Sequence, residues 1–481
     1  MSEPAKTFKI TLTELSDGFS YALKAPDGGS CGPQSFQLPE KLSQDWQSLS
    51  PSLYRSLLRE TKSTTRDKRL KDAKRHLEDL GKQLYDAIFS HRDAHALLER
   101  GKNALAEDEL LLLQLSIQGS RLEDLPWEAL YYEGRFLALD RQLIPLRHLE
   151  HSEPIKAIRS FEPLRVLFVS ADPYQNLDLD SEFERLEEAL DKLYPKVELD
   201  ELPHASFQDL ADKLSQDGPY HVLHIAGHAE KTKGGQLLLE RDVVSAADLA
   251  TQLSQHPSLA LVVLNACESA LADEKLNPFA GLAKSLAREN IPAVIAMQLK
   301  IADDSAIAFS KAFYRKLSQS GDIGQALSAA RVAMKLDSLE WLTPVLYSRA
   351  QDLKLLMLNV ANESEKQQRL EALKKRLIQA EKTNDWPKAD KTLDRLDALV
   401  MGSDRLWFEA RRKRITAQLE LPLQLARAQK LRDEGSYQRA YDLLQKLRAL
   451  DYQHPQVNEL FEKVWAKLYP TIQGTPPRMK A

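Results

Sequence analysis

Two side chains in this chain of 481 residues have the type and the setting for covalent chemistry. His228 follows the apolar run HVLHIAG (221–227), and Cys267 follows LALVVLNA (259–266). A thiol beside an imidazole is the smallest kit for nucleophilic catalysis. The thiolate attacks a carbonyl, and the imidazole supplies the proton to the leaving amine. Gly227 lets the backbone come close to a substrate. Its N–H and that of Cys267 are candidate donors to an oxyanion. The pair is ambiguous when taken alone. A strand-end cysteine is often a small buried hydrophobe, and a strand-end histidine often satisfies a loop. The other thiol, Cys31, lies in Gly29-Ser30-Cys31-Gly32-Pro33, a turn sequence that reads as structural.

The elements that must carry these residues alternate along 161–350. LRVLFVSADP (164–173) is a continuous apolar run ending in a polar turn, and an amphipathic helix with Phe183, Leu186, Leu190 and Leu193 follows. The runs ending at Gly227 and Ala266 come next. The helical stretch NPFAGLAKSLAREN then leads to a fourth run, IPAVIAMQ (291–298), and further helices are expected at 304–318 and 324–336. Strands without a polar face, alternating with helices, indicate an α/β fold with a mostly parallel sheet covered on both sides. Reactive groups in such sheets sit just past the carboxyl ends of the strands, where His228 and Cys267 fall.

Around this core, 5–40 reads as short strands and turns, with Phe8, Ile10 and Leu12 alternating and Pro26-Asp27-Gly28-Gly29 as a turn. Residues 41–118 read as helical, and 121–149 as short strands with turns. Beyond about 355 no strand pattern remains. NDWPKADKTLDRLDAL (384–399) matches GSYQRAYDLLQKLRAL (435–450) at an offset of 51, with Trp386/Tyr437, Ala389/Ala440, Leu393/Leu444, Leu396/Leu447 and Leu399/Leu450 coinciding. An aromatic, a small residue and spaced leucines resemble the second helix of a tetratricopeptide repeat, although a plain helical bundle fits as well. The expected organisation is a mixed N-terminal β/helical region (1–120), an α/β core (121–352), an all-helical TPR-like domain (360–470) and a flexible tail (471–481).

Composition narrows the function classes. Two cysteines are too few and too far apart for a disulfide framework. No apolar run reaches the ~18–20 residues of a membrane span, and the N-terminus lacks a signal-peptide core. A soluble, cytoplasmic protein without membrane partners is expected. Residues 361–481 carry 24 Lys+Arg against 17 Asp+Glu, while the other 360 residues are net acidic, so the two parts are distinct modules. The basic residues are interleaved with acidic ones at helical spacing, which reads as a solvated helix surface and not as a nucleic-acid site. No phosphate loop is present: Gly81-Lys82 precedes Gln83 and Gly101-Lys102 precedes Asn103. A phosphatase pattern fails because position 273 is Asp. His221, His224 and His228 would share a face only on a helix, and their surroundings read as a strand, so neither a metal nor another cofactor is expected.

HVLHIAGHAE and LVVLNACESA closely resemble the histidine and cysteine blocks of the CHAT family, the caspase-like peptidase domain associated with tetratricopeptide repeats. LPWEALYYEGRFLAL (125–139), LRVLFVSADP, GGQLLLERD, NPFAGLAKSLARENIPAVIAMQ, IADDSAIAFSKAFYRKL and WLTPVLY (341–347) follow the family in order over about 120–350. The resemblance implies a caspase-type fold and a cysteine endopeptidase with a Cys267–His228 dyad. It places Asp172, Asn265, Gln298 and Asp303 near the pocket for the residue preceding the cut, with Asp172 favouring a basic residue there. Asp303 could instead cap the helix after it. A strand near 298–301 would bind substrate by β-augmentation. The family often has Trp-Pro where this chain has Leu299-Lys300, which puts specificity in question and leaves the dyad unaffected. The resemblance also suggests a protein substrate, a regulatory protein docked on the helical domain, and a role in bacterial defence or regulated cleavage. An inactive caspase-fold scaffold that recruits partners is the alternative.

Overall fold

The computed structural model describes the chain apart from residues 1–4, 47–62, 108, 151–154, 161–162, 176, 194–195, 231–234, 267–278, 298–302, 335–338, 359–362, 398, 401–403, 451–453 and 470–481. It forms two compact units, Met1–Val360 and Ala361–Ala481.

The first unit is built on one large, mixed sheet. One half is formed by β9 (Leu164–Ala171), β10 (Val197–Leu202), β11 (Val222–Glu230), β14 (Leu261–Ala266), β15 (Ala293–Met297) and β16 (Pro344–Ser348). The other half is formed by β1 (Lys6–Leu15), β2 (Gly18–Lys24), β3 (Ser30–Phe36), β4 (Leu111–Gln118) and β7 (Leu143–His148). Two short pairs lie apart from it, β5 (Tyr131–Tyr132) with β6 (Arg135–Phe136) and β8 (Ile158–Ser160) with β17 (Leu356–Leu358). The spatial order is β10-β9-β11-β14-β15-β16-β7-β4-β1-β2-β3. Most neighbours are parallel; β15/β16, β1/β2 and β2/β3 are antiparallel.

Alternation along each central strand explains why the sheet needs helices on both faces. Val166 and Phe168 of β9, Val222 and Ala226 of β11, and Leu261 and Val263 of β14 join one core. That core includes the helices Leu179–Asp191 and Asp303–Ser320. Leu167 and Val169, Leu223 and Ile225, and Val262 and Leu264 join the opposite core, with the helices Phe207–Asp217, Ala246–Ser254 and Phe279–Arg288. Both side-chain sets of each strand are buried, which is why the sequence shows continuous apolar runs. Capping fixes the helix starts: Ser206 and Asp209 form a reciprocal capping box, and Ser245 accepts from the Asp248 N–H.

The region before 121 differs from its expected reading in two places. LLLQLSIQ is β4, a strand between β7 and β1, where a helical stretch was expected. A short leucine run buried on both faces has no period that separates a strand from a core helix. Cys31 lies within the edge strand β3, paired with Leu23, and not in a turn.

A buried ion pair ties the LPWEAL block to the sheet. Arg147 of β7 donates from Nε and Nη2 to the two carboxylate oxygens of Glu128, each at 3.1 Å, and also to the carbonyls of Glu123 and Leu125. Glu128 is fully buried, and the Arg147 guanidinium lies 5.6 Å from the Tyr347 ring centroid on β16. Removing one partner strands a buried charge. Glu128→Ala is therefore expected to lower stability by about 3–5 kcal/mol, read from urea denaturation.

His224 of β11 points into the core. Its Nδ1 is 2.9 Å from the Tyr314 hydroxyl, and burial pushes the imidazole down to about 4 from its ordinary 6.5. The folded state keeps it neutral, while the unfolded chain takes a proton below about pH 6.5. The stability it carries is full above pH 6.5 and is lost as pH falls through the window from 6.5 to 4. Between pH 7.5 and 5.0 the wild type is expected to lose on the order of 2 kcal/mol more than a His224→Phe variant, compared by urea midpoints.

Among the described residues the second unit holds only helices: Glu363–Lys382, Trp386–Asp397, Asp404–Asp433, Tyr437–Leu450 and Pro455–Leu468. The expected tail 471–481 lies outside the described residues. The repeat is visible in its backbone. Asn384 and Gly435, 51 residues apart, both have positive φ. At the same offset, the Asp385 N–H bonds to Ala380 O and the Ser436 N–H to Leu431 O. Each closes one helix before the next begins. Ala389, Leu393 and Leu396 face one small core, and Ala440, Leu444 and Leu447 face another. The helix Asp404–Asp433 supplies Phe408 and Ile415 to the first and Leu421 and Leu425 to the second. The repeated unit is thus a helix–turn–helix pair.

Candidate active site

The parallel pairing of three adjacent strands ends at one level of the sheet. Gly227 of β11 is in parallel register with Ala171 of β9 on one side and with Ala266 of β14 on the other. The residues that follow in the sequence are Asp172, His228 and Cys267. Cys267 lies outside the described residues, as does Gln298; for Asp303, only its place at the start of the helix Asp303–Ser320 is described.

Beyond Gly227, β11 leaves its parallel neighbours and continues as one side of a hairpin-like ribbon. His228 pairs antiparallel with Leu238 of β12 (Gln236–Leu238), which in turn pairs with β13 (Val243–Ser245). Glycine is required at 227 by close approach, because a Cβ there would lie 2.5 Å from the Ala171 carbonyl oxygen.

The His228 imidazole is held on one side. Its Nε2 lies 2.9 Å from Asp172 Oδ1, and the two side chains are only 5% and 10% exposed. The other carboxylate oxygen of Asp172 accepts the Leu177 N–H at 2.6 Å. The backbone helps: Gln175 N–H bonds to Asp172 O, closing a turn with Pro173 at its second position. The Asp172 N–H donates to Glu240 at 3.0 Å, joining the strand end to the ribbon's far side. Tyr174, 60% exposed, stands edge-on to the imidazole with ring centroids 5.0 Å apart. Among the described residues His228 Nδ1 makes no hydrogen bond.

Asn265, the last residue but one of β14, is buried. Its amide donates to Glu182 in the first turn of the helix Leu179–Asp191, and among the described residues its Oδ1 has no hydrogen-bond partner. The structure thus brings together Asp172, Gly227, His228 and the β14 end that carries Asn265. Sequence reasoning did not find the contact of Asp172 with His228, nor Tyr174, Glu182 and Glu240 around them. The equal strand endings Ala171-Asp172, Gly227-His228 and Ala266-Cys267 were the available signal.

The three histidines go to separate places. His221 Nδ1 accepts the Arg165 N–H, His224 meets Tyr314, and His228 meets Asp172. Among the described residues no group of His, Cys, Asp and Glu is placed to hold a metal ion. No helix among them is long and apolar enough to cross a membrane.

The largely parallel α/β unit thus carries a buried Asp172–His228 pair where two neighbouring strands part. The CHAT domain family model matches residues 78–389, about two thirds of the chain, and the chain belongs to that family, which is related to the caspase-like peptidases. No match was found among curated proteins.

Proposed function

We propose that this protein is a cysteine endopeptidase in which Cys267 is the nucleophile and His228 the general acid and base. The observation that carries the reading is the common level of Gly227 and Ala266 on adjacent parallel strands. The thiolate of Cys267 attacks the scissile carbonyl. The N–H groups of Gly227 and Cys267 receive the developing oxyanion. The His228 imidazolium protonates the leaving amine as the C–N bond breaks, which leaves a thioester on Cys267. Water then attacks the thioester, His228 takes its proton, and the carboxylate product departs with the thiol restored. Asn265, Gln298 and Asp303 are proposed to line the pocket for the residue before the cut.

The substrate is a specific protein, and basal activity is low. A regulator docked on the helical unit, whose repeated helix pairs are TPR-like in this reading, switches it on through the segments near 229–236 and 268–276. A place in bacterial defence or signalling fits such a design. The test is a comparison of new protein N-termini in host cells expressing the wild type or Cys267→Ser. Termini that arise only with the wild type support the peptidase, and their sequences give the cleavage preference. Identical sets would favour a recruiting scaffold. Full turnover of unstructured peptides by the purified chain alone would contradict the regulatory part.

A further inference from the structure

We propose that Asp172 is a positioning residue: its carboxylate holds His228 by Nε2, which leaves Nδ1 as the nitrogen that serves the nucleophile, Cys267 in the reading above. This rests on the peptidase reading above, and it gives Asp172 a role at the histidine in place of one in the substrate pocket.

The order of the strands carries the argument. β9, β11 and β14 are neighbours, with β11 in the middle, and their last register-matched residues are Ala171, Gly227 and Ala266. A carboxylate, an imidazole and a thiol residue follow these three in that lateral order. A base placed between its orienting group and its nucleophile is the general layout of an activated nucleophile. The side-chain geometry agrees. Asp172 Oδ1 is 2.9 Å from Nε2, and Oδ2 is turned to the Leu177 N–H at 2.6 Å. Both oxygens are thereby directed inward, and Asp172 is 9% exposed. A carboxylate that selects a basic substrate residue would need an oxygen facing the incoming side chain.

The chemical consequence follows from which nitrogen carries the proton. With Nε2–H donating to Asp172, the neutral ring has its lone pair on Nδ1, where it can accept the thiol proton. Once the proton has moved, the buried carboxylate faces an imidazolium, and the thiolate–imidazolium pair is stabilised. Asparagine at 172 would keep the shape and remove the charge.

The experiment measures carbamidomethylation of Cys267 by iodoacetamide at pH 6.5. Cys31, the chain's second thiol, is the reference within the same molecule. Iodoacetamide has no side chain for a specificity pocket to read. Asp172→Asn is expected to slow modification of Cys267 at least tenfold while Cys31 reacts at an unchanged rate, and Asp172→Glu is expected to restore part of the loss. Should Asp172→Asn fail to fold, selective histidine labelling of a Cys267→Ala chain gives the His228 tautomer by nitrogen NMR with Asp172 intact. A proton on Nε2 is expected. An unchanged Cys267 rate in a folded Asp172→Asn variant, or a neutral tautomer protonated on Nδ1, overturns the proposal. If Cys267→Ser leaves cellular cleavage unchanged, the peptidase reading fails on its own, and the tautomer result still decides what Asp172 does to His228.

Discussion

Replacing Cys267 with alanine is expected to lower cleavage of the protein substrate by on the order of 10⁴-fold or more, with folding intact. The size of the effect follows from what is removed. In the proposed mechanism, which passes through a thioester, Cys267 is the nucleophile, and Asp172 at the neighbouring strand end is directed at His228 and at the Leu177 N–H. Cys31 is no substitute. It lies on the edge strand β3, and burial raises its thiol above the ordinary value, which keeps it protonated at neutral pH. Turnover of a substrate identified from the new N-termini, measured for wild type and variant at equal concentration, checks this. The far-ultraviolet spectrum should be unchanged.

Replacing His228 with alanine is expected to cost about 10²–10⁴-fold in the same assay. In the proposed mechanism the imidazole both accepts the thiol proton and returns a proton to the amine, so its loss affects attack and departure together. Because the two residues act as a unit, the Cys267→Ala/His228→Ala double variant should be no slower than the worse single variant. His228→Ala also releases Asp172 from its only described side-chain hydrogen bond to the dyad. A second measurement at higher pH, where more of the thiol ionises without help, is therefore expected to recover part of the His228→Ala loss and none of the Cys267→Ala loss.

Much of the core was legible because buried parallel strands write themselves as continuous apolar runs. VLFVSA, VLHIAG and LVVLNA announce β9, β11 and β14, and the polar residue after each marks the carboxyl end of the parallel run, where α/β sheets place their sites. LLLQLSIQ defeats the same reading. Leucine favours helix as readily as a buried strand, and only the neighbours β1 and β7 decide the matter. For the same reason residues 1–120 looked separate from the α/β core, whereas β1 and β4 extend its sheet through β7 and β16. The partner of His228 was hidden differently. Asp172 is 56 positions away, and no local pattern pairs the two. Their contact exists because β9 and β11 end at one register, a relation that belongs to the sheet and not to either strand. The helical repeat was legible at both levels, since Asn384 and Gly435 carry the same left-handed turn that the sequence offset suggested.

Covalent trapping at Cys267 tests the central claim most directly. The wild-type chain, at a concentration of probe that drives slow reaction, is treated with a peptidyl acyloxymethyl ketone, and the adduct is located by peptide mass mapping. The account predicts one adduct on Cys267, none on Cys31, and loss of the adduct in His228→Ala. Equal modification of the two thiols, or labelling of Cys267 that survives unchanged in His228→Ala, would contradict it.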